Sequence, residues 1–183
     1  MTLNFILKAT FVSAALLALP YAQAANLSKT DYQAGKTRIA DEYKTEMDAC
    51  KARAGNARDI CNEEAKGKQK VARAELEFGH SGKPADRTKV MVAKAESTYA
   101  VAKEKCDDLA GNVKDVCVKE AKAAETKALA DAKMGNQIVE AQTDASQARR
   151  DADYGVAIEK CDAMAGDAKA SCVTAAKSKY GKN

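Results

Sequence analysis

The feature that most constrains this chain is a unit that recurs three times. Tyr43, Tyr99 and Tyr154 each stand seven residues before a cysteine. Ala-Gly follows that cysteine at the fourth and fifth positions, and a second cysteine comes at the eleventh. Ala-Lys closes the unit four and five residues later. The cysteine pairs are Cys50/Cys61, Cys106/Cys117 and Cys161/Cys172. Self-similarity of this kind is the signature of a tandem array in which each copy is one supersecondary unit.

The residues between the cysteines indicate what the unit is. Gly55, Gly111 and Gly166 suit the left-handed residue that ends a helix. Asn56, Asn112 and Asp167 follow at once and are good N-caps for a second helix. Each Ala-Gly-Asx is therefore read as a tight turn between two antiparallel helices. Asp59 and Asp115 lie three residues past their caps, where an acid favours a helix N-terminus, whereas the third copy has Ala170 there.

Cysteine geometry supports the hairpin. On one straight helix, eleven residues would hold the two Cα atoms about 16 Å apart. A disulfide tolerates at most about 7 Å, so a turn midway is needed to bring the partners together. Pairing within each copy is expected on this ground, although six cysteines allow 15 connectivities in principle. The alternative is a set of buried, unpaired thiols. The cysteines also fall on heptad-like seams: Ile39, Tyr43, Met47, Cys50 and Ala54 in one helix, and Cys117, Ala121, Ala124 and Ala128 in another. The recurring tyrosines fit helix-seam packing with the hydroxyl at the edge.

Residues 1–24 read as an export signal. Lys8 precedes an apolar run, Phe11–Leu19, then Pro20, and Ala22-Gln-Ala24 offers a small-x-small cleavage site. The run is shorter than the ~20 residues of a spanning helix; an uncleaved anchor is the alternative. The mature chain is expected to begin at Ala25, to lack a transmembrane segment and to occupy the periplasm, where disulfides persist. The repeats then divide as residues 25–80, 81–135 and 136–183. Gly79-His-Ser-Gly-Lys-Pro84 marks the first boundary, with Gly79 ending a helix and Pro84 opening the next. Residues 134–136, Met-Gly-Asn, mark the second boundary, with Asn136 as a cap, or else a kink in a continuous helix. Helices are expected near 28–54, 57–78, 85–110, 113–134, 137–165 and 168–180. The fold class is all-α: three tandem disulfide-stapled αα-hairpins, stacked as a solenoid or gathered as a bundle.

Composition narrows the function classes. The chain has 30 basic and 26 acidic residues with the signs closely interspersed, and no Trp. That pattern describes a solvated helix surface rather than a nucleic-acid stripe. Large aliphatics are scarce and Ala, Lys and Glu abundant, so the helices should be thin and Ala-seamed, with the disulfides supplying stability that a small core cannot. His80 is the single histidine and reads as a solvated linker residue. No Gly-x-Ser-x-Gly turn, Cys-x-x-Cys pair or true phosphate loop is present. Two sulfurs per hairpin make a poor zinc site, and Asp107-Asp108 reads as a surface acid pair. No catalytic residue, cofactor or metal is expected.

The Ala/Lys/Glu-rich, exported, helical character resembles that of helical envelope proteins labelled TolA-like. The likeness is compositional and spans the mature chain. The Ala-Gly-Asx turns and the eleven-residue cysteine spacing are not motifs of the Tol bridging protein, so the resemblance implies a helical envelope protein and carries over no partner or site residue. The expected function is a non-enzymatic periplasmic protein that works through a protein partner or self-association. The alternatives are a chaperone for unfolded clients and a thiol-based metal or redox stress sensor.

Overall fold

The computed structural model describes residues 26–182. The expected export leader, residues 1–24, and its expected cleavage site lie outside the described residues. Five helices account for the fold: α1 Lys29–Cys50, α2 Gly55–Ser81, α3 Pro84–Cys106, α4 Gly111–Asp162 and α5 Gly166–Tyr180. The three expected disulfides join Cys50 to Cys61, Cys106 to Cys117 and Cys161 to Cys172, with Cα–Cα separations of 5.6, 5.7 and 5.6 Å. Each staples one helix to the next, so the all-α, stapled-hairpin architecture is as the spacing predicts.

The arrangement is an accordion. Helix α1 packs on α2, α2 on α3, α3 on α4 and α4 on α5, and no other pair among these five helices touches. Close approach depends on two glycines. A Cβ built on Gly35 would lie 2.5 Å from Leu76 Cδ1, and one on Gly67 would lie 2.9 Å from Ser97 Cβ. The buried apolar set is correspondingly small: Ile39, Val90, several alanines and four of the six cysteines, with Cys50, Cys106 and Cys161 at 1%, 0% and 1% exposure. The largest fully buried side chain of each hairpin is a disulfide cysteine.

Three expectations need correction. Residues 134–136 do not break the chain. Helix α4 runs unbroken for 52 residues, because each would-be breaker is used in packing. Gly135 packs against the Met91 methyl, which lies 3.6 Å from where a Cβ would stand. The Asn136 side chain accepts from Thr88 Oγ1 and donates to Glu140 instead of capping a helix. The second helix of copy two and the first helix of copy three are thus one rod.

The linker near residue 80 also differs. Helix α2 passes through Gly79 and ends at Ser81, and the left-handed residue is Gly82, at φ +64°. His80 is half-buried in the last helical turn rather than solvated. Its ring stacks on Tyr32 with centroids 4.5 Å apart, and its Nδ1 lies 2.8 Å from the Leu27 carbonyl oxygen. With the Leu27 amide donating to the Gly79 carbonyl, His80 pins the start of α1 against the end of α2.

The α4 seam is the third correction. Cys117 and Ala121 are half-buried as expected, but Ala124 and Ala128 are exposed. The seam moves instead through Glu125, Leu129 and Ala132. Glu125 is 8% exposed, and Lys122 donates to its carboxylate at 2.6 Å. From Cys117 to Ala132 the steps are four, four, four and three, not the heptad's alternation of four and three.

Candidate functional site

The three turns share one geometry. The preceding helix ends at or one residue past its cysteine, and the next three or four residues unwind. Ala54, Ala110 and Ala165 are extended, at φ −131°, −133° and −132°. Gly55, Gly111 and Gly166 follow at φ +55°, +56° and +58°. Only glycine takes that conformation without penalty, as its placement in the sequence suggests. Its position relative to the helices differs from expectation: each glycine opens the second helix rather than closing the first. No side chain at these turns caps its own helix, so Asn56, Asn112 and Asp167 do not act as side-chain N-caps. Asn56 instead donates from Nδ2 to the Glu104 carbonyl at 2.9 Å, tying the first turn to the end of α3.

Charge distinguishes the copies. Lys114 reaches across the second turn to Asp107 at 2.8 Å, and Lys169 crosses the third to Asp162 at 2.9 Å. The equivalent positions in the first copy are Arg58 and Lys51, both basic, and Lys51 pairs back to Asp48. The hydrogen bond and charge of Lys114 hold the Asp107 carboxyl below its ordinary range. The first turn therefore presents Lys51, Arg53 and Arg58, while the second, beside it through the Asn56–Glu104 bond, presents Asp107, Asp108 and Asp115.

The repeat tyrosines lie half-buried on the seams, as their spacing suggests. The Lys122 ammonium stands over the Tyr99 ring, 4.9 Å from its centroid. Its hydrogen bond to Glu125 raises its pKa. Tyr154 meets Tyr180 edge-on at 6.2 Å. These rings clamp helix pairs together.

Two concavities stand out. One, about 360 Å³, lies where the α2–α3 connection meets α4 and is walled by Phe78, Met91 and Val139. The other is an open trough of about 830 Å³ along α2 and α3. Val71, Ala72, Val101 and Ala102 line it, and the Lys94–Glu75 ion pair at 2.7 Å stands at its edge. Beyond these, helix α4 presents a bare stretch, as Glu140–Asp153 are all exposed. Among the described residues no cluster of three or more potential metal ligands occurs, and no helix is long and apolar enough to cross a membrane.

Comparison with family models, curated proteins and solved structures returns no match to this chain. The class rests on the architecture: an all-helical protein of three disulfide-stapled hairpins.

Proposed function

We propose that this chain is a non-enzymatic periplasmic protein that acts through helix-to-helix docking, on a protein partner or on another copy of itself, as a component of the cell envelope. One observation carries the reading. Each helix touches only its neighbours in sequence, so each keeps a broad face available for docking, and the 52-residue α4 extends that face over about 78 Å. Three disulfides hold so thin an array together, which fits an oxidising compartment. Amphipathic helix faces are recognised by other helices through periodic small and apolar contacts.

The test is photo-crosslinking in living cells from exposed positions on α1, α3 and α4. Discrete adducts with a protein, or with the chain itself, are expected. Absence of adducts from every face would refute the reading. A second reading, a chaperone for unfolded clients, draws on the α2–α3 trough, whose apolar floor and charged rim would suit an extended apolar segment. Suppression of aggregation of a denatured client, lost on Val101→Glu, would support it. Free-thiol counting on protein taken from the periplasm separates a thiol-based sensor from both.

A further inference from the structure

Helix α4 has two long faces that the fold treats differently. On one face α3 packs near its start and α5 near its end, and between them that stripe continues as Thr143, Gln147 and Arg150. Where nothing covers this face, the sequence turns polar, as a solvated helix should. The opposite face does the reverse. Met134, Ile138, Ala141, Ala145, Ala148 and Ala152 follow strict steps of four and three, and every one is exposed. Met134 and Ile138 are 55% and 50% exposed, and Val156, one turn further on, is 56% exposed. At about 100° per residue these positions fall opposite Tyr154, Ile158 and Cys161, the side on which α5 sits. Among the described residues nothing covers them, yet the heptad pattern of a coiled-coil seam is kept.

From this face we infer that α4 pairs with α4 of a second copy, side by side and parallel, in a two-stranded coiled coil centred on Ala145. The inference rests on the docking function proposed above and names its surface and partner. Charge selects the occupant and its direction. Asp144 and Arg149 flank the seam on opposite edges, five residues apart. Five residues is the offset at which edge positions of two parallel, in-register helices meet, so Asp144 of each copy faces Arg149 of the other. An antiparallel pair would set Arg149 against Gln142 or another Arg149, and Asp144 against Asp151 or another Asp144. Among the described residues neither Asp144 nor Arg149 is engaged in an ion pair, whereas Arg150, off the seam, is held by Gln147, and Asp151, on the same edge as Asp144, is held by Gln147 and Lys182. Since α3 and α5 both lie on the far side of α4, two copies can meet back to back without their hairpins colliding.

The size of the seam sets the expected strength. From Met134 to Val156 it is about 33 Å long, and a strip roughly 10 Å wide gives about 330 Å² per copy. The total of about 660 Å² is below the ~1,200 Å² at which stable complexes begin, so the dimer belongs to the weak, transient class. Half-association is expected at roughly 0.1 mM or above.

Sedimentation equilibrium of the oxidised chain up to about 1 mM tests this. A reversible monomer–dimer equilibrium is expected. Ala145→Glu, which sets two carboxylates face to face on a residue that leaves the helix intact, should weaken it roughly tenfold or more. Asp144→Arg should weaken it as well, and Asp144→Arg combined with Arg149→Asp should restore it. Circular dichroism checks that each variant stays folded. A chain that remains monomeric, or a dimer indifferent to Ala145→Glu, overturns the proposal. Failure of the double exchange to restore association overturns the parallel register. A monomeric chain that crosslinks in cells from Ala141 to another protein overturns self-pairing while leaving the docking function in place.

Discussion

Removing the third staple isolates what a disulfide contributes to so thin a fold. Helix α5 has 15 residues, and Ala176 is its single buried residue. A free helix of that length is marginal in water. It touches α4 alone. Replacing Cys161 and Cys172 with Ala frees a loop spanning 11 residues. The chain-closure model values that loop at about 2.8 kcal/mol at 25 °C, which is roughly a hundredfold in the docked-to-undocked equilibrium. Hydrogen exchange followed by mass spectrometry reads the effect segment by segment. Protection across α5 should fall about a hundredfold, while α2 and α3 stay unchanged because the bare stretch Glu140–Asp153 separates them from the lesion. A fall of less than about fivefold would mean that helix packing, and not the disulfide, holds α5, refuting the closure reasoning. Loss of protection spreading into α2 would show that the array is coupled end to end, against the neighbour-only contacts seen here.

The remaining predictions concern single positions. Gly111→Val should destabilise the second hairpin by about 1–2 kcal/mol in thermal unfolding. Nothing lies within 4 Å of its would-be Cβ, so the cost is backbone strain alone, and an unchanged Tm would show that the turn tolerates another conformation. Asn56→Ala should cost about 1 kcal/mol by removing the bond to Glu104, and Asn112→Ala, which has no such partner among the described residues, should cost less in the same urea titration. Gly67→Val should force α2 from Ser97 and cost about 1–3 kcal/mol, read as a drop in Tm. The carboxyls of Asp48, Asp86, Asp107 and Asp151 are held below their ordinary range, chiefly by hydrogen bonds from Lys51, Lys89, Lys114 and Lys182 respectively. Their folded pKa values lie below the unfolded ones, so their stabilisation is complete above the usual carboxylate range and fades as pH falls through the depressed values. The urea midpoint should accordingly decline on acidification below about pH 4, and a midpoint flat down to pH 2 would show these pairs to be energetically idle.

How much was legible in advance depended on the distance over which each feature is set. The staples, the turns and the helical class were readable because they are local. A cysteine pair eleven apart around a glycine admits little besides a hairpin, and the positive φ at Gly55, Gly111 and Gly166 follows from the one residue that adopts it cheaply. Helix ends were less readable, since the disulfide draws the chain in and unwinds the residues between cysteine and glycine before the glycine is reached.

Tertiary contacts decided the rest. Gly135 and Asn136 carry the local marks of a helix break, but Met91 and Thr88 across the interface use both as packing residues, and α4 runs through. His80 stands among loop-forming residues, yet Tyr32 and the Leu27 carbonyl make it an anchor for the start of α1. Asn56 has the chemistry of a cap, and a carbonyl 48 residues away claims its amide. Propensity ranks what a residue does among its sequence neighbours. What these residues do is set by a partner helix whose register only the packed array determines, because a hydrogen bond or a filled gap to that helix outweighs the few tenths of a kcal/mol that separate local alternatives.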